Sequence, residues 1–126
     1  EMCIRDRENR EASDRFFLLS GDWKFRYFTS VYDVKEEFFA EGYDTSAFET
    51  IPVPSVWQNY GHDHHQYTNV RYPFPVDPPY VPYENPCGAY VRTFEWKKQE
   101  EAPRAFLNFE GVDSCFYVWM NGSFVG

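Results

Sequence analysis

Eight of the nine prolines fall between Pro52 and Pro86. Each fixes φ near about −65°, removes a backbone donor, and pushes the preceding residue toward extended backbone. A long helix or a central strand is excluded from this stretch, which must run as extended chain and turns. A loop of this length is held by its own side chains or serves a site. Its aromatics are Trp57, Tyr60, Tyr67, Tyr72, Tyr80 and Tyr83, and its amides include Asn59 and Asn69. Such a stiff loop is preorganised, and a preorganised loop loses less entropy when a ligand arrives.

The flanking sequence supplies a β scaffold. Aromatics make up 21% of the 126 residues, a composition that favours strands. A turn at Ser20-Gly-Asp22 precedes Trp23, Phe25 and Tyr27 alternating with Lys24 and Arg26, the pattern of a strand with one buried face. A second strand is expected over 48–53, a third over 89–96 with either face buried, and further strands over 104–110 and 113–120. Asn121-Gly122 suits a type I′ hairpin turn because both central residues need positive φ. The spacing of Val34, Phe38 and Phe39 predicts a short helix over 31–42, with acids early and Gly42 as the stop. Residues 1–15 are charged and aperiodic and read as a disordered leader. Residues 16–126 then form one β domain of five or six strands, where a closed sandwich needs roughly seven or eight. On that count the domain is expected to be cut short in its last hairpin.

A formal charge of −8, with 20 acidic and 12 basic residues, argues against nucleic acid as a partner, because phosphate recognition needs clustered Lys and Arg. Aromatic faces with amides and carboxylates suit neutral polyhydroxylated ligands. Cys3, Cys87 and Cys115 show no paired spacing, so the expected compartment is the reducing cytoplasm. No apolar run or leader marks a membrane span or a secretory signal. His62-Asp-His-His65 contains metal-ligating types, but adjacent residues cannot all face one ion and no distant partner completes a set. Cys87 lacks a histidine in defined relation, and Cys115 sits in a strand where a small buried thiol is ordinary. Asp44, Glu49, Asp63, Asp77, Glu84, Glu110 and Asp113 show no spacing that assigns the two carboxylate roles of glycoside hydrolysis, and read as surface or turn residues. Catalytic and metal-ligating residues are therefore expected to be absent from this chain. The loop aromatics read as packing against the prolines and the sheet, which leaves the amides as the groups able to donate to and accept from a sugar hydroxyl.

Five ordered blocks carry a resemblance: Ser20-Gly-Asp-Trp-Lys-Phe25; Val53-Pro-Ser-Val-Trp-Gln58; Tyr67-Thr-Asn-Val70 with Tyr72-Pro73; Pro78-Pro-Tyr-Val-Pro82 with Glu84-Asn-Pro86; and Phe109-Glu-Gly-Val-Asp-Ser114 with Trp119, Asn121-Gly122 and Val125-Gly126. Over about residues 8–126 the chain resembles the N-terminal sugar-binding domain of the β-galactosidases of glycoside hydrolase family 2. The resemblance implies a jelly-roll β-sandwich followed by an immunoglobulin-like domain and a TIM barrel. It implies retaining hydrolysis of terminal β-D-galactosides, by glutamates of the barrel, in an enzyme that is a homo-oligomer. Magnesium and sodium are implied for the full-length enzyme, at positions outside this chain. Asn69 maps to the asparagine that reaches the galactosyl group, and Val70 to the same pocket edge. His62-Asp-His-His65 and Cys87 depart from the family pattern. The rival reading is a free-standing carbohydrate-binding module without hydrolase activity, and a third is an incomplete domain with no activity of its own.

Overall fold

The computed structural model describes residues 10–65, 75–113 and 115–126. Among these the regular elements are β1 (Gly21–Phe28), β2 (Glu49–Val53), β3 (Cys87–Val91), β4 (Trp119–Met120) and β5 (Ser123–Phe124), with short 3-10 turns at Arg10–Ala12, Val31–Asp33 and Trp57–Tyr60. The all-β expectation holds. No helix of the described residues is long and apolar enough to cross a membrane.

β1 is the centre of an antiparallel sheet of order β2-β1-β3. It starts at Gly21, whose φ of 127° only glycine adopts without strain, and alternates its side chains as the sequence predicts. Trp23, Phe25 and Tyr27 share one face with Ile51, Tyr90 and Gly88, which stand opposite Trp23, Phe25 and Tyr27 in the register. Lys24, Arg26 and Phe28 share the other face with Ala89, the partner of Arg26. Both faces are covered: Phe25 is 0% and Ala89 1% exposed. On the third strand, whose buried face the sequence left open, Ala89 is buried while Tyr90 on the opposite face is only partly covered. β3 ends at Val91, short of Trp96, opposite Lys24, although β1 continues to Gly21 beside β2.

The helix expected over 31–42 does not form. Ser30, itself fully buried, accepts from Tyr32 N and caps a single 3-10 turn. The chain beyond it folds through separate turns closed by Ala40 N to Glu37 O and Tyr43 N to Ala40 O. Tertiary packing explains the outcome. Phe39 stacks on Trp119 with ring centroids 4.6 Å apart while its neighbour Phe38 meets the same indole edge-on at 6.3 Å. Adjacent residues on a helix point about 100° apart and could not share that ring so readily. Gly42 still marks a stop, with φ of 79°.

The predicted hairpin is present, with Asn121 at φ 48° and Gly122 at φ 76° and Trp119 opposite Phe124. Pairing extends outward through Val118 N to Gly126 O and Val125 N to Val118 O. The strands expected over 104–110 and 113–118 are not formed among the described residues. An alternating pattern makes a strand only where a neighbour supplies ladder bonds, and no strand lies beside them here. Of the leader expected over 1–15, the described part turns at Arg10–Ala12, and Arg10 ion-pairs with Glu110. Gln99 Nε2 also donates to Asp14 O at 3.3 Å.

Candidate functional site

The proline-rich loop leaves β2 at Val53 and is fastened on its near flank to the sheet and on its far flank to the 3-10 turn Val31–Asp33. On its near side the chain turns over Trp57–Tyr60 and reverses at Gly61, whose φ is 85°. Trp57 lays its ring against Phe25 at 6.1 Å and edge-on to Tyr27 at 5.9 Å. Gly88 makes room for it: a Cβ there would lie 2.7 Å from both Trp57 Cζ3 and Phe25 Cε2. The sequence reading of Trp57 as frame rather than ligand platform is met in this geometry. Its Nε1 is buried without a partner among the described residues.

On the far side Val31 N donates to Asn85 O at 2.9 Å, Tyr83 OH donates to Asp33 Oδ1 at 3.0 Å, and Tyr83 stacks on Tyr32 at 5.9 Å. The Tyr83 hydroxyl is held above its ordinary pKa by that bond to Asp33. Tyr80 and Tyr83 remain 75% and 64% exposed, so the rings of this flank lie along the surface rather than beneath it. Asn69 and Val70, the binding residues expected from the sequence, lie outside the described residues, as do Tyr67 and Tyr72. Asn59 is described in the 3-10 turn, where its N–H donates to Val56 O at 3.1 Å.

The histidine segment divides. His62 turns inward onto the sheet, stacked on Tyr27 at 5.2 Å with its Nε2 2.6 Å from Glu49 Oε1. Asp63 takes positive φ and, behind desolvation, helps raise the Tyr27 hydroxyl pKa. His64 and His65 are exposed. Among the described residues no three His, Cys, Asp or Glu side chains converge as a metal site would require.

Across the other face of β1 lies a cavity of about 130 Å³ lined by Arg26, Phe28, Asp33, Lys35, Glu36, Phe38, Tyr43 and Phe48. Its carboxylates already have partners. Asp33 accepts from Tyr83 and from Thr29 Oγ1, while Glu36 accepts from Tyr43 and sits 3.7 Å from Arg26. The cavity was not legible in the sequence, since it forms where the turns that replace the expected helix cross β1.

Cys87 is half-buried at the start of β3, and desolvation pushes its thiol up, whereas Cys115 is exposed rather than buried as its expected strand would have made it. Because the thiolate is the reactive form, Cys115 should be alkylated by iodoacetamide at pH 8 about tenfold faster than Cys87. Peptide mass mapping over a time course reads the two rates, and equal rates would contradict the burial of Cys87.

The described elements make an all-β domain, and sequence comparison gives it its family. Residues 16–126 match the family model described as glycosyl hydrolases family 2, sugar binding domain, and the chain belongs to that family. Its fold is the jelly-roll-like β-sandwich of that domain. Among curated relatives, the beta-galactosidase of Actinobacillus pleuropneumoniae is 51% identical over 117 residues, which cover 93% of this chain and 11% of the relative. That of Staphylococcus xylosus is 44% identical over 119 residues, 94% of this chain and 12% of the relative. That of Pectobacterium atrosepticum is 47% identical over 120 residues, 92% and 11% respectively. The chain spans only about 11 to 12% of the length of these relatives.

Proposed function

We propose that this domain forms one wall of the galactosyl pocket of a retaining β-galactosidase. The observation that carries the reading is the 51% identity to a beta-galactosidase across nearly the whole chain; the residues are taken from the resemblance of the Tyr67-Thr-Asn-Val70 block to the family. Asn69 offers the galactosyl hydroxyls a donor and an acceptor, and Val70 lines the pocket edge beside it. The clamped flanks of the loop fit this role, because a wall must be stiff before the sugar arrives.

Retaining hydrolysis needs a nucleophilic carboxylate and an acid/base about 5–5.5 Å apart. In this reading both come from the barrel of the intact enzyme, and the domain contributes orientation and exclusion of water around the sugar. The pocket then lies between this loop and that barrel, within a homo-oligomer of the full-length protein.

The test is turnover of a chromogenic β-galactoside. The 126-residue chain should release no chromophore above a mock preparation, while the full-length protein should release it with the β-anomer of galactose as first product by NMR. Hydrolysis by the isolated chain would overturn the proposal. Saturable galactose binding by the isolated chain, with no hydrolysis by the full-length protein, would establish the free-standing module instead.

A further inference from the structure

Two tyrosines lie open to solvent on a fixed base at the far flank of the loop. Ser30 is fully buried, and its Oγ accepts from Tyr32 N at 3.3 Å while its carbonyl accepts from Asp33 N at 3.0 Å, so the turn that carries Tyr32 is tied to the core. The loop is locked to this turn in its own backbone: Val31 N donates to Asn85 O and Asn85 N to Tyr83 O, both at 2.9 Å. The Tyr32 and Tyr83 rings stack with planes 21° and centroids 5.9 Å apart, an offset arrangement rather than an eclipsed one. Tyr32 remains 59% exposed beside the exposed Tyr83. The Tyr83 hydroxyl is held by Asp33 Oδ1, so the pair is ordered before any ligand arrives and loses little entropy on binding one.

Asp33 is also a wall of the cavity of about 130 Å³ beside β1, which brings the tyrosine pair and the cavity together at one carboxylate. Pockets that enclose whole ligands run to about 300–1,000 Å³, so this one has room for the edge of a single small ring. Its lining mixes the apolar faces of Phe38 and Phe48 with Arg26, Lys35 and Glu36. Asp33 takes Tyr83 on one oxygen and Thr29 on the other, two of the roughly four sites a carboxylate can offer. Among the described residues no carboxylate pairs with Lys35. Unused acceptor sites beside an unpaired donor, next to open aromatic rings, match a sugar, which has C–H faces and hydroxyls that both donate and accept. Asp33 and Glu36 disfavour an anion, as does the net charge of −8, and Arg26 and Lys35 disfavour a cation. An apolar partner would bury these charged groups without compensation.

We infer that Tyr32 and Tyr83, with the Asp33 and Lys35 edge of the cavity, form a carbohydrate-binding surface that takes a neutral β-linked oligosaccharide. Sugar rings of the chain lie along the two tyrosines, and one ring edge enters the cavity, where Lys35 donates and Asp33 accepts. None of these residues belongs to the pocket-wall reading, and the surface stands without it.

The experiment is native affinity electrophoresis of the full-length protein through gels holding soluble β-1,4-galactan or hydroxyethyl cellulose, compared with a gel holding neither. At least one polymer should retard the parent. Tyr32→Ala should weaken that binding about tenfold, the loss of one stacked ring, while Tyr32→Phe keeps the ring and should stay within about twofold of the parent. Lys35→Met removes the donor at the cavity and should weaken binding about two- to tenfold. Phe106→Ala, which deletes an exposed ring outside the surface, should change nothing. Retardation by neither polymer would overturn the inference, and so would equal losses in Tyr32→Phe and Tyr32→Ala. A Tyr32→Ala protein smaller than the parent on sizing without polysaccharide would make the pair a contact between subunits and overturn it too. Asn69→Ala separates this surface from the pocket. Retardation should survive that substitution; binding lost in Asn69→Ala and kept in Tyr32→Ala would sink this surface alone. Retardation kept in Asn69→Ala together with full turnover of a chromogenic β-galactoside would sink the pocket-wall reading and leave this surface standing.

Discussion

Phe25→Ala should unfold most of the described sheet. Phe25 is 0% exposed at the middle of the central strand, and its ring meets Tyr90 at 4.8 Å, His62 at 5.4 Å and Trp57 at 6.1 Å. Only Ile51, Phe48 and Ala89 are comparably buried apolar side chains among the described residues. Truncating a buried Phe removes its transfer free energy and leaves a cavity, at about 3–5 kcal/mol. Whole domains are stable by only about 5–15 kcal/mol, so a core of this size loses a large share in one step. Urea titration followed by the summed fluorescence of the four tryptophans measures it. Phe106→Ala is the control: at 89% exposure it should move the midpoint by no more than about 0.5 kcal/mol equivalent. A Phe25→Ala midpoint equal to that of the control would mean the sheet is not organised around this ring.

The pair explains how much of the architecture could be read from the residues. Alternation at Trp23, Phe25 and Tyr27 is a local signal with an unambiguous period, and β1 formed where it pointed. Asn121-Gly122 is equally local, since the turn it builds depends on the φ values of those two residues alone. The helix expected over 31–42 failed because Phe38 and Phe39 are both claimed by Trp119, some eighty residues away in the sequence, a demand no window of local periodicity contains. Residues 104–113 and 115–117 carry β pattern without ladder partners among the described residues, because pairing belongs to two segments and a pattern to one. At the loop, the packing of Trp57 on the sheet was legible, but not its fastening. The seat under Trp57 is Gly88, where the missing side chain is the signal, and the inward turn of His62 depends on Glu49 being its neighbour in the fold. Asn69 is named by resemblance to the family, not by any pattern of spacing.

Asn69→Ala should cost the full-length protein about five- to one-hundredfold in kcat/KM on a chromogenic β-galactoside. An amide donates through its NH₂ and accepts through its oxygen, so it can satisfy both halves of a sugar hydroxyl. Truncation removes both and leaves the hydroxyl without a partner in a pocket that excludes water, a loss of about 1–3 kcal/mol. At about 1.4 kcal/mol per tenfold, this gives the expected range. Asn69→Asp distinguishes hydrogen bonding from shape. It keeps the volume and an acceptor but loses the donor and adds a charge, so it should be no better than Ala if the amide donates to the sugar. Val70→Ala should cost less, about 1 kcal/mol, because it removes only apolar area at the pocket edge. Stability need not follow activity in the pocket-wall proposal: the sheet is built from Phe25, Ile51 and Ala89. Thermal midpoints of the three variants within about 2 °C of the parent, alongside a graded loss of kcat/KM, would identify Asn69 as a binding residue. A kcat/KM within twofold of the parent would instead leave the loop as a frame alone.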